Sequence, residues 1–366
     1  MDYVERVESA TTRITALTKL VMDDLDEQDG GVGWWSDQIG WKRSALLGEY
    51  LLASCTGVAT ALFEASLAED EFRKLTFADN YWIRSQWAQV DKSGSHGGDY
   101  MAAIARGPHE DRRARLIDMS RTQTLGSLAT ALDRVAAVIA IVAGIKADIL
   151  RIDWGVLSRI SRAVPGPDQH LLRGPFMPHG MPGRQHQIDL LKRVLSWSDY
   201  GPEDWLPWLM KSRNAAVHRA TRLGWRVMIG TRRHREGFTE PFWRQPEWSD
   251  TEAMLKADAR ARGLDSLLLP QFPQDVLAGL LDSSVNLIED LVDSASGLWL
   301  LRSEEPSLIV QHGGMWPSLE SASPLTFPGY GSPAQTIVSE VHVAPEMAKR
   351  LKAAKLMEAD LPRWKE

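Results

Sequence analysis

The chain has a single cysteine, Cys55, in 366 residues. No internal disulfide can form, and such a count fits a reducing compartment. Cys55 lies in an apolar run and reads as a small buried residue. Long hydrophobic stretches are also missing. The most apolar run, Val135 to Ile145 between Arg134 and Lys146, is about half of the roughly 20 residues that a bilayer requires, so it reads as a buried helix. The N-terminal residues carry acids and no signal-peptide apolar region, so a cytoplasmic protein without a membrane association is expected. Positive charge is not in excess either. With 42 Lys and Arg against 48 Asp and Glu the net charge is −6, so charge must be read locally. No internal repeat is visible. His170, His179 and His186 lack the cysteines or close carboxylates that would complete a metal-ligand spacing, and no Gly-x-Ser-x-Gly turn surrounds Ser95 beside His96. The Asp91 to Asp99 stretch therefore reads as a linker.

What is present is helical periodicity in an ordinary globular composition, 44% hydrophobic and 25% charged. The spacing predicts helices over Tyr3 to Leu25, Trp41 to Leu67, Asp118 to Ile149, Trp154 to Val164, Gln187 to Ser196, Asp204 to Val227 and Pro273 to Leu301. Ser249 to Glu252 can cap a further helix reaching Arg262. Arg106 to Arg115 reads as a solvated charged face, and Pro165 to Gly183 as a long irregular loop. Beyond Glu304 the composition turns to Pro, Ser and Gly, with strand-like pieces at Ser307 to Gln311 and Gln335 to Val343 and a terminal helix over Pro345 to Ala359. The 15 tryptophans are dispersed and default to packing. The expected fold is all-α: an N-terminal helical region over 1–110, a helical bundle over 111–302 and an irregular tail over 303–366.

The chemistry-bearing stretch is Lys211-Ser-Arg-Asn-Ala-Ala-Val-His218-Arg219, inside the Asp204 to Val227 helix. Asn214 and His218 are i, i+4 neighbours, about 40° apart around the axis. Arg213 can lean to the same polar edge, and Ala215 and Ala216 keep the turn thin enough for another helix to approach. The pattern Arg213-Asn214-x-x-x-His218 resembles the R-[polar]-x-x-x-H signature of HEPN domains. That resemblance covers about half the chain, with specific residues only on this helix. It implies an all-α bundle that pairs its motif helices with a second copy and cleaves RNA without a metal or cofactor, as toxins and anti-phage effectors do. Arg213, Asn214 and His218 would then be catalytic. A second Arg-to-His spacing, Arg173 to His179, runs through Pro175 and Pro178 and cannot be helical.

The residue types suit cleavage by the neighbouring 2′-OH. Histidine can act as base or acid, and Arg213 can hold the phosphate and stabilise developing charge. Asn214 can orient the ring or the phosphate. One histidine cannot comfortably serve both proton transfers, so the second is expected from a second chain. From 211 to 244 the local charge reverses sign: Lys211, Arg213, Arg219, Arg222, Arg226, Arg232, Arg233, Arg235 and Arg244 face only Glu236 and Glu240. Phe238, Phe242, Trp243 and Trp248 are interleaved, the mix that phosphate contact and base stacking use. Lys211, Arg219, Arg222, Arg226, Arg232, Arg233 and Arg235 are therefore candidate RNA contacts. The competing reading is a non-catalytic helical module that binds nucleic acid or an acidic protein, with an antitoxin or regulatory partner open in either case.

Overall fold

A computed structural model describes residues 2–93, 99–163, 176–178, 180–218, 224–230, 235–250, 256, 267–309, 325–331, 343–357 and 359–365. The fold is all-α: 72% of the described residues are helical, and among them there are only two short strands. The chain forms two compact units, each built from three separate segments. The first comprises Met1–Thr12, Gly57–Leu132 and Leu195–Asp290, and the second Arg13–Thr56, Asp133–Val194 and Leu291–Glu366.

In the first unit the long helix α3, Trp41–Ser93, contributes its portion from residue 57 onward. It continues well past Leu67, where the periodicity reading ended it. No glycine or proline interrupts residues 58–93, and the acidic Glu69-Asp70-Glu71 cluster is not a solvated terminus. Glu69 is 1% exposed and pairs with Arg6, which also reaches Asp282 at 2.8 Å. Burial pushes the Glu69 carboxyl above the usual range, and the Arg6 charge opposes that shift. Helix α4 (Asp99–Ala103) precedes α5, Pro108–Val142, which starts earlier than expected because Pro108 suits the first helical position and Glu110 and Asp111 complement its dipole. The Arg106 to Arg115 run is not wholly solvated: Arg106 and Arg113 both bind the buried Asp79, at 2.7 and 2.9 Å.

Helix α8 is described over Trp205–His218, and residues 224–226 are not helical, so it does not reach the expected terminus at Val227. Val227 instead opens a two-stranded antiparallel ribbon, β1 (Val227–Gly230) with β2 (Arg235–Thr239), in which Val227 faces Thr239. Gly237, at φ +141°, lets the ribbon dock on α3, since a Cβ there would lie 2.4 Å from Asn80 Oδ1. That oxygen accepts from the Phe238 amide at 2.9 Å. Helix α9, Pro273–Glu304, follows with Leu277, Leu280, Leu281 and Val285 buried.

The second unit contains most of α1 (Glu8–Asp23), with Ile14, Leu17 and Val21 buried at helical spacing. It also holds α2 (Gly33–Ile39), α6 (Trp154–Arg162), α7 (Pro182–Leu195) and α10 (Pro345–Ala353). Here α5 stops at Val142 rather than Ile149 because Gly144, at φ +62°, forms a Schellman end: Gly144 N donates to Ile141 O and Ile145 N to Ala140 O. Arg302 is fully buried and its Nη1 donates to Ile141 O and Val142 O, at 3.2 and 2.5 Å. Trp34 and Trp35 stack beside it, Trp299 meets both rings edge-on, and Asp24 Oδ2 accepts from the Trp34 and Trp299 indoles. Gln187 ties α7 down by donating to Ala143 O and accepting from Met177 N, both at 2.8 Å. The terminal helix is shorter than expected and packs on its own chain, with Arg350 paired to Glu49 and Lys355 Nζ donating to Glu27 O and Gln28 O.

Pro306–Leu308 is a 3-10 turn where a strand was expected, with proline at its start. Most of the expected Ser249 to Arg262 helix, the Gln335 to Val343 strand and the Arg173 to His179 motif lie outside the described residues. By length and composition alone α3 and α5 could each cross a membrane; the relevant windows are 56% and 78% buried in the protein.

Candidate functional site

Helix α8 owes its start to Pro202-Glu203-Asp204, with Asp204 in the left-handed region at φ 59°, and to Pro207, whose missing N–H costs nothing in a first turn. Its indoles are fixed locally. Trp205 Nε1 donates to Trp197 O at 2.8 Å and Trp208 Nε1 to Trp243 O at 3.2 Å. Two turns on, Arg213 and Asn214 are half-buried, and Arg213 Nη1 donates to Asn214 Oδ1 at 3.0 Å. His218 is the last helical residue, one turn beyond Asn214. The structure thus keeps Arg213, Asn214 and the His218 backbone on one helix, at the spacing that the sequence suggested.

Ala215 and Ala216 share a face with Trp208 and Ser212, and that face lines an open cavity of about 190 Å³ together with Pro241, Phe242 and Trp243 of the same chain, while Ala216 stays exposed. The ribbon that replaces the end of the expected helix leads the chain back to this face. By helical geometry Asn214 and His218 lie more than a right angle away from Ser212, on another side of the axis.

Of the candidate RNA contacts, Arg226 is exposed but paired: its Nε donates to Glu240 Oε1 at 2.7 Å. Lys211 is half-buried and engaged within the protein. Arg219, Arg222, Arg232 and Arg233 lie outside the described residues, and Arg235 opens β2. The interleaved aromatics divide. Phe238 packs edge-on against Trp87 at 5.4 Å and Phe242 against Trp208 at 5.3 Å, whereas Trp248 is 49% exposed.

Arg121 is the site residue that sequence reasoning missed. Its guanidinium sits 5.7 Å over the Phe242 ring, donates to Asp118 at 3.0 Å and approaches Glu240 at 3.9 Å. Together with Glu240 it lines both the 190 Å³ cavity and a smaller one of about 60 Å³ between α3, α5 and the ribbon. Only the long-range meeting of α5 with the 240–243 segment reveals this role, and no local pattern signals it. Among the described residues no three His, Cys, Asp or Glu side chains cluster as a metal site; His170 and His179 lie outside them. Compared with protein-family models, with curated proteins and with solved structures, the chain finds no match.

Proposed function

We propose that the chain is a metal-independent endoribonuclease of the HEPN type, working in the cytoplasm as a homodimer. The observation that carries this reading is the Arg213–Asn214 pair on α8, hydrogen-bonded at 3.0 Å and one turn before His218. Its chemistry is transesterification. One His218 takes the 2′-OH proton, the 2′-oxygen attacks phosphorus, and the His218 of a second copy protonates the departing 5′-oxygen, leaving a 2′,3′-cyclic phosphate. Arg213 stabilises the charge gathered on the phosphorane, and its bond to Asn214 Oδ1 orients the amide so that the NH₂ group remains a donor for phosphate. Because Ala215 and Ala216 face the chain's own 241–243 segment, the pairing surface in this reading is the Asn214–His218 side of α8. A toxin or defence role, under control of an antitoxin-like protein, is the corresponding biological proposal.

A second reading, a non-catalytic module for nucleic acid or protein, draws on the pairing of Arg226 with Glu240, which makes that arginine part of the fold. One comparison separates the two. Wild type and His218→Ala are assayed on single-stranded RNA in EDTA, with circular dichroism confirming both folds. The ribonuclease reading expects His218→Ala and Arg213→Ala each to lower cleavage by about 10²-fold or more. Equal cleavage by wild type and His218→Ala removes His218 from the chemistry. Binding without any wild-type cleavage selects the second reading.

A further inference from the structure

A cavity of about 390 Å³ lies between the first turns of α8 and α9 and is not the one beneath Ser212. Its volume falls in the range of roughly 300–1,000 Å³ typical of small-molecule sites. Val276, Leu280 and Leu269 give it an apolar wall, and Trp205 and Trp208 give it an aromatic one. Both indole N–H groups are already spent on Trp197 O and Trp243 O, so the rings offer the hollow aromatic surface and no donor. The carboxylates of Glu203, Asp204 and Asp275 stand exposed around it and, among the described residues, make no hydrogen bond or ion pair, and no described Lys, Arg or His lines it.

Carboxylates at helix starts complement the dipoles of α8 and α9. That accounts for the positions of these acids but not for the hollow between them. Nor does it account for Gly279, which lies inside α9 at a cost of about 1 kcal/mol relative to alanine. A Cβ at Gly279 would meet nothing within 4 Å, so no close packing requires the glycine, and its missing side chain deepens the cavity.

We propose that this cavity binds a small hydrophobic organic cation, an aryl- or alkyl-ammonium whose apolar part enters between Trp205, Trp208 and Leu280 while the ammonium faces the three carboxylates. An anion would meet three carboxylates and no cationic side chain among the described residues, with only the neutral Gln271 and Ser283 as donors; a neutral ligand of equal shape would gain the apolar burial but not the cation–π and carboxylate attraction. The assignment is independent of the ribonuclease reading, since it uses neither Arg213 nor His218.

The test is a ligand-detected NMR titration of the full chain at neutral pH with three probes of one shape: benzylamine, benzyl alcohol and benzoate. Benzylamine is expected to bind about tenfold more tightly than the alcohol, with benzoate weakest. Glu203→Gln, Asp204→Asn and Asp275→Asn combined should erase that preference. Gly279→Leu, which fills open space and favours the helix, should abolish binding while leaving the circular dichroism unchanged. Equal binding of amine and alcohol, no binding of benzylamine at millimolar concentration, or undiminished binding to Gly279→Leu each overturns the proposal. So does a dimer that Gly279→Leu dissociates, because the hollow would then belong to a second copy.

Discussion

Arg302 carries its charge in a wholly buried position and, among the described residues, forms no ion pair. Its guanidinium lies 5.4 and 5.1 Å from the Trp34 and Trp35 ring centroids, while Nε and Nη2 have no partner. Burial pushes its pKa down to about 9, so it remains protonated at neutral pH. What offsets desolvation is the negative end of α5, through Ile141 O and Val142 O, together with the two π faces. Charge is therefore held here at a net cost, and volume is what the neighbours need. Arg302→Met should stay within about 1 kcal/mol of wild type, as apolar replacements of buried ions often do, whereas Arg302→Ala should lose about 2–5 kcal/mol to the cavity. Urea denaturation of the two variants checks this, and equal losses would mean that the hydrogen bonds, not the volume, matter. Nothing in the sequence near Arg302 marks it as buried, since a basic residue in the last turn of a helix ordinarily faces water. The Arg213–Asn214 pair was easier to foresee because the two are adjacent on one helix.

At the scale of elements, the longer helices were legible, whereas the short α2 and α4 and the helix ends were not. Periodicity located α1, α5, α6, α7 and α9, but α3 was cut short because Glu69 to Glu71 look like a polar terminus until Arg6 is seen to bury Glu69. The opposite error occurred at α8, which was carried on to Val227 although Leu223, Trp225 and Val227 alternate with the period of a strand and Val227 pairs with Thr239 in the ribbon. That register places Arg226 opposite Glu240, which explains why a residue counted as a free positive charge is neutralised. The start of α7 shows how narrow such tolerances are. A Cβ on Gly183 would lie 1.9 Å from Leu308 O, a backbone atom that cannot rotate aside. Gly183→Ala should therefore destabilise by about 1–3 kcal/mol or more in spite of the better helix propensity of alanine. A urea midpoint unchanged from wild type would show that α7 can slide away from Leu308 without penalty.

For the whole molecule, composition was enough to indicate an all-α protein with a sizeable core, but not how the chain is shared between its units. Each unit draws on three segments, and the first needs Gly57–Leu132 as well as Leu195–Asp290. A fragment covering 111–302 would lack residues 57–110, including Phe72, Ile83 and Trp87, which are nearly buried. Such a fragment is expected to give no cooperative thermal transition, while the full chain does; a sharp transition in the fragment would show that 111–302 holds a sufficient core. The same interleaving bears on synthesis. The last segment of the second unit, Leu291–Glu366, carries Leu298, Trp299 and Arg302, around which Trp34 and Trp35 close. At roughly 5–20 residues per second, a ribosome reaches that segment many seconds after it has made Trp34 and Trp35. Until then the two indoles have each other and Asp24 but not Trp299 or Arg302, so a nascent chain of this protein is expected to expose apolar surface late into translation.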